Sequence, residues 1–486
     1  MMLKNDRVKA MPRFFRTTII LFCLISIVLA TNVVGVSDFA SPAYGASNKS
    51  GNSLSLIRDT EIEAILKSWS EPIFKAAGLD PKAVNFILVK NDDVNAFVAG
   101  GANIFIYTGL INRTQNPGEL IGVIAHETGH IAGGHLIRSR EAMERASYES
   151  IIGVLLGVGA AIASGDASAA QAGAMGGSSY AQRKYLAHSR VQESSADQAA
   201  LSILEKAEIN PTGLESFMQK MQSDMYVPQS QQSEYVRTHP LMENRMESIS
   251  NRAGQSPYIN KATPALWDQQ HARMKAKLLG YINPGKVPWA YDDRDQSVPA
   301  EYARTIADYR NYKLESALVR INKLIEREPK NPYFYELKAQ MLFEFGRVNE
   351  AVPIYQKASD LLPQAALFRI ALAHSLIESS TNNDPVKLKE AASELQRALR
   401  QEPRSSRIHR LLATAYGRLG EENRAKLHLA EEAVLQRRYT YARQHIEAIF
   451  RGEKKGSSTW IKAKDLLVFI EGVGGKGISV TREQEE

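Results

Sequence analysis

The sequence predicts a mainly α-helical chain in two parts: an α+β region with a small antiparallel β-sheet, then an all-α solenoid of stacked helix pairs. Three observations carry this expectation. Short β-rich runs at residues 84–90, 95–99 and 103–107 are separated by Asn91-Asp92-Asp93 and Gly100-Gly101, residue types that favour turns. A segment from Pro284 to Pro299, with the charged run Asp292-Asp293-Arg294-Asp295, reads as a linker. Beyond it Ala317, Ala351, Ala391 and Ala425 recur at intervals of 34, 40 and 34 residues. The 486 residues, 44% hydrophobic and 23% charged, suit two or three folded domains and exclude a disordered, fibrous or polytopic membrane protein. The net charge is +7, of which residues 1–45 hold an excess of three. The remaining +4 is too thinly spread to imply nucleic acid, and no basic tract with interleaved aromatics adds to it.

The amino terminus resembles an export signal: five cationic side chains precede the apolar run 17–36, and Ala43-Tyr44-Gly45 offers small residues for cleavage. Residues 1–45 are therefore expected to be removed and the protein to be periplasmic. The competing expectation is an uncleaved inner-membrane anchor, since such a run just spans a bilayer core of ~30 Å. Cys23, the only cysteine, lies in this run, so the mature chain would hold no disulfide, reactive thiol or Cys-ligated zinc. After a Ser/Asn/Gly-rich lead-in, Ile62, Ile65, Leu66, Trp69 and Ile73 recur at helical spacing, with Asp59 or Thr60 as the cap. Beyond the sheet, Asn116-Pro117-Gly118-Glu119 announces a helix predicted to continue through Leu136. In the Gly/Ala-rich stretch 151–178 the apolar core is 13 residues, too short to span a bilayer. A helical hairpin beside the site is expected there, the alternative being a lid or a peripheral membrane contact.

The first three repeating alanines are each followed twelve residues on by Pro329, Pro363 and Pro403, and Gly346 and Gly420 fall at the turn within a unit. The six extra residues of the middle interval fit in the polar segment 379–385. This pattern resembles the tetratricopeptide repeat, in which each helix pair buries its apolar face only by stacking on the next. In the last unit Glu432 and Arg437 replace the small residue and proline, and the stretch around Trp460–Glu471 is expected to cap the array. Residues 300–471 thus form the array, 284–299 the linker and 472–486 a disordered tail. A solenoid of this kind is expected to be nearly independent energetically of its neighbour.

His126-Glu127-Thr128-Gly129-His130 carries the chemistry. Two histidines four apart on a helix face the same way and can share one Zn²⁺, and the glutamate beside the first can take a proton from water. Catalytic zinc needs a third protein ligand. The metzincin pattern requires a histidine at position 136, which is Leu136; His135 comes one residue too early and is read as a helix-end or supporting residue. The gluzincin pattern takes a glutamate from a later helix with an aspartate one turn on. Glu193-Ser194-Ser195-Ala196-Asp197 supplies both, although by itself this pentapeptide would be only a solvated helix face.

Together with Asn95-Ala96-Phe97, Thr108-Gly109-Leu110, Thr238-His239-Pro240 and Arg245, these motifs resemble the periplasmic β-barrel assembly-enhancing (BepA-type) proteases, in a wider family that includes the CAAX-processing zinc endopeptidases. The resemblance covers residues 60 to 440 and makes residues 46–283 a zincin metallopeptidase domain. It implies His126, His130 and Glu193 as ligands of one Zn²⁺ per chain, Glu127 as general base and Asp197 as the residue orienting a ligand histidine, sometimes described as a proton donor. It also places His239 near the metal, either as oxyanion stabiliser or as inhibitory fourth ligand. The implied function is zinc endopeptidase action in quality control or assembly of outer-membrane proteins, with misassembled polypeptides as substrates and the repeats recruiting the assembly machinery. The alternative is a chaperone-like scaffold with a latent zinc site. Segment 103–107 is expected to hold an extended peptide by edge pairing.

Overall fold

The computed structural model describes residues 55–135, 189–228 and 230–474. The expected leader and the stretch 151–178 lie outside the described residues, as does the tail expected over 472–486 apart from residues 472–474, which continue the last helix instead of being disordered. Asp59 caps α1 (Thr60–Ala76) by accepting a hydrogen bond from the Ile62 amide, and the expected apolar stripe of this helix is buried. Strands β1 (Leu56–Ile57), β2 (Asn85–Val89), β3 (Ala96–Ala99) and β4 (Asn103–Tyr107) form one sheet in the order β1-β2-β4-β3.

The sheet is mixed rather than purely antiparallel. β1 with β2 and β3 with β4 pair antiparallel as expected, but β2 and β4 run parallel. The cause is the Asn91–Val94 connection, which carries the chain past the place of β4, so the β3–β4 hairpin returns its second strand against β2. β4 is consequently an interior strand and has no free edge for a peptide. Among the described residues the outer strand on that side is β3, which corrects the expected docking edge.

After α2 (Thr108–Arg113) comes α3 (Pro117–Ala132). Its cap works as the sequence suggests: the Asn116 side chain accepts from the Glu119 amide, and Glu119 accepts in turn from the Gln115 amide. α3 stops short of the expected Leu136. Gly133 caps it and Gly134 takes φ +62°, a left-handed value that ends helices. Helices α4 (residues 189–206), α5 (Thr212–Gln222), α6 (Glu234–Thr238) and α7 (Glu243–Gly254) complete the region. Leu66, Trp69 and Ile73 of α1 meet Ile124 of α3 and Phe217 of α5 in its core. Each such side chain contributes roughly 1.5–3 kcal/mol by leaving water.

α8 (Ala265–Ile282) and the short α9 (Val287–Ala290) lead into five stacked helix pairs: α10 (Val298–Arg310) with α11 (Leu314–Arg327), α12 (Pro332–Glu344) with α13 (Val348–Leu361), α14 (Ala366–Ser379) with α15 (Pro385–Leu399), α16 (Ser406–Arg418) with α17 (Glu422–Leu435), and α18 (Tyr439–Gly452) with α19 (Ser458–Gly474). The four periodic alanines all sit on the second helix of a pair and are buried. The extra six residues of the third unit are shared between a longer α14–α15 connection, which contains the turn Thr381–Asn383, and longer flanking helix ends.

The two regions are joined more closely than the sequence suggests. Ala276 of α8 and Val287 pack against Ala303 and Ala307 of α10. Buried Glu61 of α1 accepts a hydrogen bond from the Tyr302 hydroxyl and pairs with Arg273, which also reaches Glu328 at 3.2 Å. Lys277 lies 2.7 Å from Asp59 and 3.4 Å from Glu61. The expectation of near-independence fails here because α8 supplies side chains to both cores.

Candidate metal centre

The site is assembled where α3, α4 and the turn after α6 converge. Gly129 lets α3 and α4 approach: a Cβ there would stand 2.7 Å from the Ala196 carbonyl oxygen. This closeness brings Glu193 of α4 against both motif histidines. Its Oε1 is 3.3 Å from His130 Nε2 and its Oε2 is 3.4 Å from His126 Nε2. The two histidine Nε2 atoms are 3.1 Å apart. His239, which caps the C-terminal end of α6, places Nδ1 3.1 Å from Glu193 Oε2 and 3.4 Å from His126 Nε2. One donor atom from each of these four residues lies within 4.8 Å of the others.

The other nitrogen of each imidazole decides what this cluster wants. His239 Nε2 is 3.2 Å from the Ala96 carbonyl, which only accepts, so the proton sits on Nε2 and Nδ1 turns a lone pair to the centre. His126 Nδ1 is 3.0 Å from Asp197 Oδ1, which likewise frees Nε2. His130 Nδ1 meets His135 Nδ1 at 3.0 Å, a contact in which either ring can donate, and its Nε2 points inward. Three imidazole nitrogens and a carboxylate therefore face one point in a buried setting. Without a cation they repel; with one they are satisfied. The separations of 3.1–3.4 Å are also those of tetrahedral zinc, whose bonds of ~2.0–2.1 Å put ligands about 3.3 Å apart. The residues fit Zn²⁺.

Arg245 of α7 braces the carboxylates. It is 98% buried, forks onto Asp197 through Nε at 2.6 Å and Nη2 at 2.9 Å, and brings Nη2 within 3.3 Å of Glu193. Burial pushes the Asp197 carboxyl up, but hydrogen bonds from His126 and Arg245 outweigh it and hold the group below its usual value. Glu127 is different. Burial pushes its carboxyl up, and its Oε1 has no hydrogen-bond partner, with His239 Nε2 at 3.5 Å. It is a carboxylate with proton affinity to spare.

Residues 57–253 match the family model described as Peptidase family M48, and the span contains every residue of this cluster. They are a peptidase family M48 domain. Over 333 residues the chain is 26% identical to the Beta-barrel assembly-enhancing protease of Escherichia coli (strain K12), with 66% of each chain covered. The Putative beta-barrel assembly-enhancing protease of Vibrio cholerae is 24% identical over 376 residues, 76% of this chain and 75% of that one. A stretch of 122 residues is 31% identical to the TPR repeat-containing thioredoxin TTL4 of Arabidopsis thaliana, covering 24% of this chain and 17% of that one. The match thus spans just under two thirds of the Escherichia coli relative.

All six residues singled out in the sequence meet in the M48 domain. Sequence reasoning gave no role to the Ala96 carbonyl, to Tyr235, whose ring packs 4.7 Å from that of His239, or to Arg245 beyond its place in a motif. No local pattern marks a backbone carbonyl or a brace 48 residues from its partner. His135, read as a supporting residue, contacts His130.

Proposed function

We propose that this protein is a zinc-dependent endopeptidase that cleaves extended polypeptides in the cell envelope, and that it acts in the assembly or quality control of outer-membrane proteins. The observation that carries the reading is the convergence of three imidazole nitrogens and Glu193 beside Glu127, whose Oε1 has no hydrogen-bond partner among the described residues. His126, His130 and Glu193 would hold the ion. Bound Zn²⁺ supplies Lewis-acid polarisation of the scissile carbonyl and acidifies a water. Glu127 takes the proton of that water and passes it to the leaving amine, a role suited by its raised proton affinity. Asp197, held by Arg245, keeps His126 in the tautomer that binds metal. The outer edge of β3 offers backbone groups for a substrate strand.

His239 completes a four-donor set, and a closed set leaves no position for water. The reading is therefore a resting, self-blocked site that opens when His239 withdraws. The names of the two β-barrel assembly-enhancing relatives support the envelope assignment, as does the leader-like amino terminus. Among the described residues no helix is long and apolar enough to cross a membrane. The helix pairs serve to recruit partners of the assembly machinery. Metal analysis together with casein cleavage by wild type and Glu193→Gln tests the proposal: the variant should hold one zinc ion fewer than wild type and lose activity. Full zinc and full cleavage in that variant would refute the ligand set.

A further inference from the structure

We propose that the fourth helix pair carries a second divalent transition-metal site, formed by His409 of α16 with His428 and Glu431 of α17. It goes beyond the peptidase reading and does not depend on it. His409 Nδ1 lies 2.6 Å from Glu431 Oε2 and 3.1 Å from His428 Nδ1, and the third side, His428 Nδ1 to Glu431 Oε2, is 3.6 Å. Two of the separations lie on either side of the ~3.3 Å expected between ligands of a four-coordinate ion, and the 2.6 Å contact is a hydrogen bond that an ion would replace as the two groups move apart by under 1 Å. The carboxylate can only accept, and a proton on one Nδ1 serves the contacts of that nitrogen alone, while a cation at the centre satisfies all three donors together.

The surroundings hold the donors in place. His409 is buried, and His428 is fixed by the Tyr416 ring, stacked 5.6 Å away with planes 8° apart. His428 and Glu431 are three apart on one helix and so face the same side. Two imidazole nitrogens and one carboxylate oxygen select Zn²⁺, Ni²⁺, Co²⁺ or Cu²⁺ over Mg²⁺ or Ca²⁺, with a position left for water. Such an ion clips α16 to α17 next to the place where the repeat pattern lapses, with Arg437 at φ +58° in the position of the periodic proline.

The full chain, stripped with a chelator and dialysed against zinc, is assayed by elemental analysis. Wild type should hold two zinc ions, His126→Ala one, His428→Gln one and the double variant none. His428 is partly exposed, and Glu431→Gln is a second variant that should also hold one; circular dichroism checks that each is folded. Copper(II) bound to the His126→Ala chain should give an electron paramagnetic resonance spectrum with coupling to two nitrogens, lost in His428→Gln. One zinc in wild type with none in His126→Ala overturns the proposal, as does an unchanged count in both His428→Gln and Glu431→Gln. One zinc in both wild type and His126→Ala sustains it only if His428→Gln then holds none, which would sink the M48 ligand set; if His428→Gln keeps that zinc, the proposal is overturned.

Discussion

The HETGH cluster and the junction between the M48 domain and the repeats both bury charged groups, but they balance them differently. At the junction the protein supplies both signs: Lys277 and Arg273 meet Asp59 and Glu61, and Tyr302 completes the set. At the cluster three imidazoles and Glu193 face one centre, and a bound cation would supply the compensating charge. A complete network holds the fold together, whereas an incomplete one stores binding capacity. Substitutions should accordingly cost stability in the first place and metal or catalysis in the second.

The largest effect is expected at the cluster. Glu127→Gln should keep its zinc yet lose proteolysis by roughly 10²–10⁴-fold, because the amide cannot accept a proton; undiminished cleavage would remove Glu127 from the reaction. Lys277→Met makes the opposite test. It leaves Asp59 and Glu61 without the lysine and should cost about 3–5 kcal/mol in denaturant unfolding with zinc content unchanged. A chain ending at residue 297 should be destabilised likewise, since it loses Tyr302 and Glu328; if its melting temperature matches that of the full chain, the junction does not bind the regions together.

Arg245→Lys should sharpen the contrast, because a lysine cannot fork onto Asp197. Zinc affinity is expected to fall about 10–100-fold, read by chelator competition, with only a small change in unfolding. His239→Ala should speed cleavage of a short peptide, because it opens the closed donor set; a slower rate would make the histidine an oxyanion stabiliser instead, and an unchanged one would place it outside the reaction. The smallest effect concerns Glu336, half-buried on α12, whose carboxyl burial raises from 4.5 to about 7. Between these values the unfolded chain releases a proton that the folded chain keeps. The stability present below pH 4.5 is therefore lost as pH rises through 7. Glu336→Gln should flatten that slope in melting temperature, by less than the ~1.4 kcal/mol per pH unit of a fully buried group, since solvent screens it.

What was legible in the sequence had a short or regular spacing. The cap at Asn116, the pair His126 and His130, and the 34-residue period each follow from one helix or one repeat. The partnership of Glu193 with them was readable only because the first motif raised a demand for a third ligand. The parallel pairing of β2 with β4 was hidden, since it depends on where a loop crosses rather than on what the strands contain. The early end of α3 was signalled by Gly133-Gly134, yet the apolar and histidine residues beyond drew the expected helix onward. The junction stayed hidden for a similar reason: Glu61, Lys277 and Tyr302 are far apart in sequence, and each by itself looks like a residue of its own helix.

The close passage of α3 against α4 bears on how such proteins are found. A motif written as two histidines, a glutamate and two wildcards treats position 129 as silent. In this chain that position is a steric gate: any side chain there meets the Ala196 backbone and drives off the helix that delivers the third ligand. A search that admitted every residue at 129 would collect chains able to write the motif but unable to close it. Pairing a glycine at that position with a carboxylate on a later helix would turn a five-letter pattern into a statement about geometry.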